Sequence, residues 1–454
     1  MFVMRIGVLL LGVWLTGCSQ VYETTLDNGL KIVVKEDHRS PVVVSQIWYK
    51  VGATSEPKGL SGISHVLEHM MFKGTTEHKA GDFSRIIAEN GGRENAFTGR
   101  DYTAYFQQLE KSRLWVSFEL EADRMHNLLL QEDEFRKEVQ VVMEERRLRT
   151  DDEPEAQLYE KFMATAFQVH PYKDPIIGSM QDLRKLRIED LRAWYHRWYV
   201  PNNATLVVVG DVRPGEVFTL ARKYFASIPR AKLDPVSIPA EPPQKALRRV
   251  TVALPAEVPN LLMGYHVPQI TGHADEWEPY ALQVLTGVLD GGDSARFSKD
   301  LVRGSQVAAS IDTEYSPSSP FPVLMLFSAT PANGHTVADV EKAIRAEIER
   351  IKSEPVSDAE LKRVKAQVVA GDVYARDSVF YQAMRIGMLE TIGLKWQLLD
   401  ESVGRIRSVT AEQVQKVAKK YLNEDNLTVG VLNPLPLSGA KKPVHAPLGG
   451  DHVR

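Results

Sequence analysis

The two halves of this chain end in the same order of elements. Ile188-Glu189-Asp190-Leu191 leads through Tyr199 to Leu206-Val207-Val208-Val209-Gly210, and Ala411-Glu412-Gln413-Val414 leads through Tyr421 to Leu427-Thr428-Val429-Gly430-Val431. Each copy reads as a helix, a short polar turn carrying asparagine, and a buried strand. A unit used twice must bury its apolar face twice. The expected fold is therefore a duplicated α+β protein of two similar domains, each an antiparallel sheet packed with helices, at about 210 residues per copy. Pro229, Pro235, Pro239, Pro242 and Pro243 fall between the copies. Prolines at that density remove the N–H donors a helix or inner strand needs. The boundaries expected are 22–228 for the first domain, 229–245 for the linker, 246–434 for the second domain and 435–454 for a flexible tail.

Within the first copy, Tyr22–Tyr49 reads as strands around the Asp27-Asn28-Gly29 turn. A helix from Gly62 to Phe72, a strand at Thr98–Leu109 and three helical stretches over Arg113–Phe167 follow. The second copy carries strands at Arg249–Leu254 and Leu261–His266 and a helix at Trp277–Leu289. Strands near Val307–Thr313 and Val323–Ala329 precede one long helical tract from Thr336 to about Ile392. With 43% hydrophobic residues, the 454-residue chain can build such cores. A net charge of -4, from 55 basic and 59 acidic residues, gives no electrostatic reason to expect nucleic-acid binding.

His65-Val66-Leu67-Glu68-His69 carries the chemistry. Residues four apart lie on one helix face, so both imidazoles reach one ion, while Glu68 lies about 60° from His65 around the same helix. Zinc accepts imidazole nitrogen, and a catalytic site keeps three protein ligands and a water. A flanking carboxylate takes that water's proton, the role expected of Glu68. The order is the inverted H-x-x-E-H of the inverzincins. Chance burial would leave an acid and two histidines on an apolar helix without partners, at high cost. A third ligand is needed. On the helix over Glu132–Arg149, Phe135, Val139 and Val142 form an apolar stripe, with Glu138 and Glu145 on its edge. Glu144 points about half a turn from Phe135, toward solvent, so Glu145 is the expected ligand and Glu138 the acid that orients a ligand from behind.

The chain resembles the family of pitrilysin, insulin-degrading enzyme and the mitochondrial processing peptidase. The likeness lies in Asn28-Gly29-Leu30, in Gly62-Ile63-Ser64-His65 through Met71-Phe72-Lys73-Gly74-Thr75, and in Asn95-Ala96-Phe97-Thr98 before Asp101-Tyr102-Thr103. It continues in Val141-Val142-Met143-Glu144-Glu145, and the two-domain layout extends it over most of 22–434. The resemblance implies one zinc ion per chain, peptide-bond hydrolysis, and a clam-shell of two domains closing on the substrate. It places the third ligand on the second acid of the Glu144-Glu145 pair, 76 residues after His69, and the orienting acid on Glu138. It also makes Asn95, Ala96 and Phe97 an edge onto which substrate adds as a strand. An ordinary buried strand is the plainer reading of those three residues.

The second copy departs from the family pattern. It has no H-x-x-E-H at Trp277–Leu289, so one active site per chain is expected. Where the family carries an arginine and, about seven residues on, a tyrosine that hold the substrate carbonyl, this chain supplies Arg303 but then Ala309, with Tyr315 out of register. Either another residue serves, or a dimer partner, a second copy or a related subunit, brings the pair. At the N-terminus, Arg5, an apolar run over Ile6–Leu15, and Leu15-Thr16-Gly17-Cys18 resemble an export signal ending in a lipobox, expected over residues 1–18. Cys18, the one cysteine, would be acylated, and Ser19 after it suits passage to the outer membrane, giving a lipid-anchored periplasmic protein. An active zinc endopeptidase acting on peptides or unfolded polypeptides is the function expected. The alternative is an inactive structural or assembly subunit of the same fold. A chaperone-like lipoprotein would leave His65, His69 and Glu68 unexplained.

Overall fold

The computed structural model describes residues 20–437, so the expected leader with Cys18 and most of the expected tail lie outside the described residues. The first half contains β1 (Val21–Thr25), β2 (Lys31–Glu36), β3 (Val42–Tyr49), α1 (Ile63–Met70), α2 (Asp82–Glu89), β4 (Arg93–Thr98) and β5 (Thr103–Glu110). It continues through α3 (Leu114–His126), α4 (Glu132–Arg146), α5 (Pro154–Ala166), α6 (Met180–Leu183), α7 (Ile188–Trp198), β6 (Ala204–Gly210) and α8 (Pro214–Phe225). The second half runs β7 (Arg248–Pro255), β8 (Asn260–Val267), α9 (Glu278–Asp290), β9 (Ala308–Glu314), β10 (Val323–Pro331), α10 (Val337–Ser353), α11 (Asp358–Ala375), α12 (Val379–Thr391), α13 (Leu398–Ser408), α14 (Ala411–Tyr421) and β11 (Leu427–Leu435).

The strands make two sheets, ordered β1-β2-β6-β3-β5-β4 and β7-β11-β8-β10-β9. Without β1 the two orders superpose. In each, the first and last strands of the half pair in parallel, β2 with β6 and β7 with β11, and the remaining neighbours are antiparallel. β9 is thus the counterpart of the edge strand β4. The closing helix, a short 3-10 turn at Pro201–Asn203 or Glu424–Asn426, and the buried strand recur as the sequence repeat predicts.

Two expectations need correction. Thr98–Leu109 is not one strand but the hairpin β4–β5: Gly99-Arg100-Asp101 turns the chain, and Gly99 donates to the Tyr102 carbonyl. The tract from Thr336 to Ile392 is three helices. It breaks where Pro355 and the Ser357 cap intervene, and again where the Ser378 hydroxyl accepts from Tyr381 N–H.

Both faces of each sheet are covered, which is why β3 is buried without interruption from Val43 to Tyr49. Val43, Ile47 and Tyr49 pack with α1, α7 and α8. Val44 and Trp48 face the other way, onto Ala383 and Ile386 of α12 from the second half. In return, Leu158 and Phe162 of α5 pack on Leu262 and Leu432 of the second sheet. The proline-rich stretch therefore separates the two sheets in sequence but not the cores in space.

Candidate active site

α1 begins at a crossing too tight for a side chain. Gly62 has φ 90°, and a Cβ there would sit 2.6 Å from the Ile177 carbonyl oxygen. No side chain at the cap position serves the helix. Instead Glu56 accepts from the N–H groups of Gly62 at 2.8 Å and Ser64 at 2.9 Å, placing a carboxylate on the positive end of α1. Burial raises the Glu56 pKa to about 8 in spite of those two bonds. Ile63, Val66, Leu67 and Met70 bury the opposite face of α1, which fixes the rotation of the helix and presents His65, Glu68 and His69 together.

α4 supplies the acids. Phe135, Val139 and Val142 are buried, and Glu138 joins them, whereas Glu144 is exposed and pairs with Arg147. Glu145 Oε2 lies 3.5 Å from His69 Nε2 and 3.8 Å from His65 Nε2. One ligand atom from each of these three residues lies within 4.8 Å of the other two. Donors about 2.0–2.2 Å from a tetrahedral zinc sit roughly 3.3–3.6 Å apart, and the two Glu145–imidazole separations are close to that spacing. Glu138 Oε2 is 3.3 Å from His69 Nδ1, which leaves Nε2 for a metal, and Lys73 Nζ holds the other Glu138 oxygen at 2.6 Å. Arg149 binds Glu145 Oε1 at 2.6 Å, from four residues further along the chain.

Charge couples the cluster. Burial opposes ionisation of Glu145, but its bond with His69 and the nearby charges of His65 and Arg149 hold its pKa at about 2. Burial likewise opposes the charge on His69, and Glu138, Glu145 and Glu68 overcome it to raise the pKa to about 9. A proton and a metal cation thus compete for the same ring. Glu68 is the exception among the carboxylates. Desolvation raises its pKa, offset in part by the bond from Thr98 Oγ1 at 2.6 Å. A carboxylate with a raised pKa beside two imidazoles that could hold a metal is suited to accept and return protons.

Asn95, Ala96 and Phe97 lie on β4, whose only strand partner among the described residues is β5. Ala96 is buried toward α1, while the Phe97 ring meets Trp48 edge-on at 5.4 Å on the sheet's opposite face. Arg303 is not drawn to the histidines by any of its hydrogen bonds. It sits in a π-helical turn (Phe297–Gly304) and donates to the carbonyls of Ser298 and Asp293. Ala309 is exposed on the edge strand β9, and the Tyr315 hydroxyl donates to the Pro268 carbonyl at 2.6 Å. His170 is buried and caps the turn Pro171–Lys173. Sequence reasoning passed over Glu56, Lys73, Thr98 and Arg149. The spacings of Lys73 from His69 and of Arg149 from Glu145 were visible signals; Glu56 and Thr98 arrive from loop and strand, where no periodicity marks them.

Comparisons with known proteins identify the family to which the chain belongs. Residues 31–180 match the family described as Insulinase (Peptidase family M16), and residues 185–368 match the one described as Peptidase M16 inactive domain. The zinc protease PqqE of Helicobacter pylori is 36% identical over 347 residues, covering 75% of this chain and 77% of that protein. An uncharacterised zinc protease of Mycobacterium leprae is 29% identical over 416 residues, covering 89% and 90%. The crystal structure of a protease from Helicobacter pylori superposes with a TM-score of 0.86 at 32% identity, over 92% of this chain and all of that one, 100%. The periplasmic protease PqqL of Escherichia coli shares the fold, with a TM-score of 0.77 at 18% identity, over 91% of this chain but 48% of its own. On the family matches and the relative from Helicobacter, this chain belongs to the insulinase family of peptidases, peptidase family M16.

Proposed function

We propose that the chain is an active zinc endopeptidase of the cell envelope. The observation that carries this reading is the meeting of His65, His69 and Glu145 at the edge of one sheet, with Glu68 beside them. His65 Nε2, His69 Nε2 and Glu145 Oε2 would hold the ion, and Glu138 would fix the His69 ring. Zinc, when bound, would lower the pKa of a water toward ~7 and polarise the scissile carbonyl. Glu68 takes that water's proton and delivers it to the leaving amine, a double duty its raised pKa favours. The outer edge of β4, which pairs with β5 alone among the described strands, receives an extended peptide by main-chain pairing, with Asn95, Ala96 and Phe97 along its length. Such pairing reads backbone rather than side chains and so suits unfolded polypeptides.

The second half contributes no metal site in this reading. Arg303 is held by its own turn and Ala309 stands where a tyrosine is expected, so a related partner chain supplies the arginine–tyrosine pair. The same alanine is what favours the second reading, an inactive assembly subunit. The N-terminal leader and Cys18 support export and a lipid anchor, with the domains in the periplasm.

One experiment separates the readings. The purified protein is analysed for zinc and assayed on unfolded peptides before and after chelation, alone and with a candidate partner, beside Glu68→Gln. Zinc near one equivalent, hydrolysis lost on chelation, and a Glu68→Gln variant that keeps zinc but does not turn over are expected. Zinc-loaded protein that hydrolyses nothing in either assembly would establish the structural subunit instead.

A further inference from the structure

Thr98 is the last residue of β4, and its hydroxyl donates to Glu68 Oε2 at 2.6 Å. The bond joins the base to β4, which pairs with β5 alone among the described strands. Thr98 pairs with Thr103 across the hairpin, and the chain immediately beyond is fastened down. Ala53 N–H donates to the Gly99 carbonyl at 3.2 Å and Thr54 N–H to the Arg100 carbonyl at 2.7 Å. That strap packs closely, since a Cβ on Gly52 would lie 2.5 Å from the Gly99 oxygen. Two residues after the strap comes Glu56, the carboxylate that caps α1. Thr98 and Glu68 are therefore set by one short stretch of backbone, which grips the end of β4 and the start of the helix carrying the base.

A hydroxyl donor occupies one carboxylate oxygen and leaves the other for proton transfer. Threonine suits that role on a strand, because its branched Cβ restricts χ1 and holds the hydroxyl in one direction. We propose that Thr98 is the positioning residue of Glu68: it fixes the carboxylate's rotation and ties it to the register of the strand on which a peptide pairs. The inference rests on the peptidase reading above, in which Glu68 is the base and β4 the docking edge. A substrate that pairs along β4 then steadies the base it is about to meet, and a substrate that does not reach Thr98 leaves the base less well ordered.

The test compares Thr98→Val, which keeps the shape and removes the donor, with Thr98→Ser, which keeps the donor. For the full chain with zinc, Thr98→Val is expected to lower kcat by about 10–100-fold, the range for losing a hydrogen bond to a charged group, with KM, zinc content and Tm nearly unchanged. Thr98→Ser is expected to recover most of kcat. Crystal structures of the two variants give a readout independent of turnover: the Glu68 carboxylate should rotate away in Thr98→Val and hold its place in Thr98→Ser. Wild-type kcat in Thr98→Val, equal impairment of both variants, or an unmoved Glu68 in Thr98→Val would overturn the proposal. Absence of hydrolysis by the wild-type protein would instead sink the peptidase reading, and the carboxylate's position would still decide whether Thr98 orients it.

Discussion

Glu144 and Glu145 are neighbours in sequence and opposites in environment. Glu144 stands in solvent against Arg147, while Glu145 reaches both imidazoles and is held outside by Arg149. Glu145→Gln should weaken zinc binding severely, Glu144→Gln hardly at all, and Glu138→Gln by on the order of 10–100-fold, as for an acid behind a ligand. Competition with a chelating dye measures all three, and a larger loss at Glu144 would contradict the helix-face argument. That argument was available in the sequence because one helix carries both the buried stripe and the acids. The carboxylate that caps α1 was not. Glu56 lies six residues before Gly62 in a loop, and only the Gly62 crossing against the chain at Ile177 shows why the helix start needed a distant acid.

At the level of elements, the sequence shows that α5 and α12 each have an apolar face, but not which sheet receives it. Periodicity records that a helix is buried, and connectivity suggests a neighbour in the same half. The structure gives each helix to the other half, because the open face of each sheet needs a cover its own helices do not provide. The contact of α12 depends on one small residue. Gly387 lies directly against the Trp48 indole, so that a Cβ would collide with the ring. Gly264 and Gly430 make the mirrored accommodation for Phe162 of α5. Gly387→Ala should cost about 1–3 kcal/mol through overpacking, and Trp48→Phe should relieve part of it. Urea unfolding of the two single variants and the double variant checks this; strict additivity would mean the glycine is not there for the ring.

For the whole molecule, the repeat foretold two sheets and their matching closures, since a helix–turn–strand pattern is local. It did not foretell that the halves share their cores. Lys31 of β2 binds Glu390 of α12 at 2.6 Å, and the Tyr172 hydroxyl meets Ser319 Oγ at 2.7 Å, so polar bonds accompany the apolar exchange. Residues 20–228 made alone should keep helical circular dichroism yet bind a hydrophobic dye and melt without cooperativity, because Val44 and Trp48 would face water. Co-expression with residues 246–437 should restore a sharp transition. A monomeric, cooperatively melting first half would show that α12 is dispensable.

The exchange of helices also has a clock attached. β6 completes the first sheet at Gly210, but its cover begins at Val379, roughly 170 residues later, or about 8–34 s of synthesis at ~5–20 residues per second. Through that interval the first sheet, once formed, has one greasy side and nothing of its own to put on it. A ribosome-bound chain of this kind is a standing client for a holding chaperone, and a chain kept unfolded until its last helices are made avoids the problem altogether.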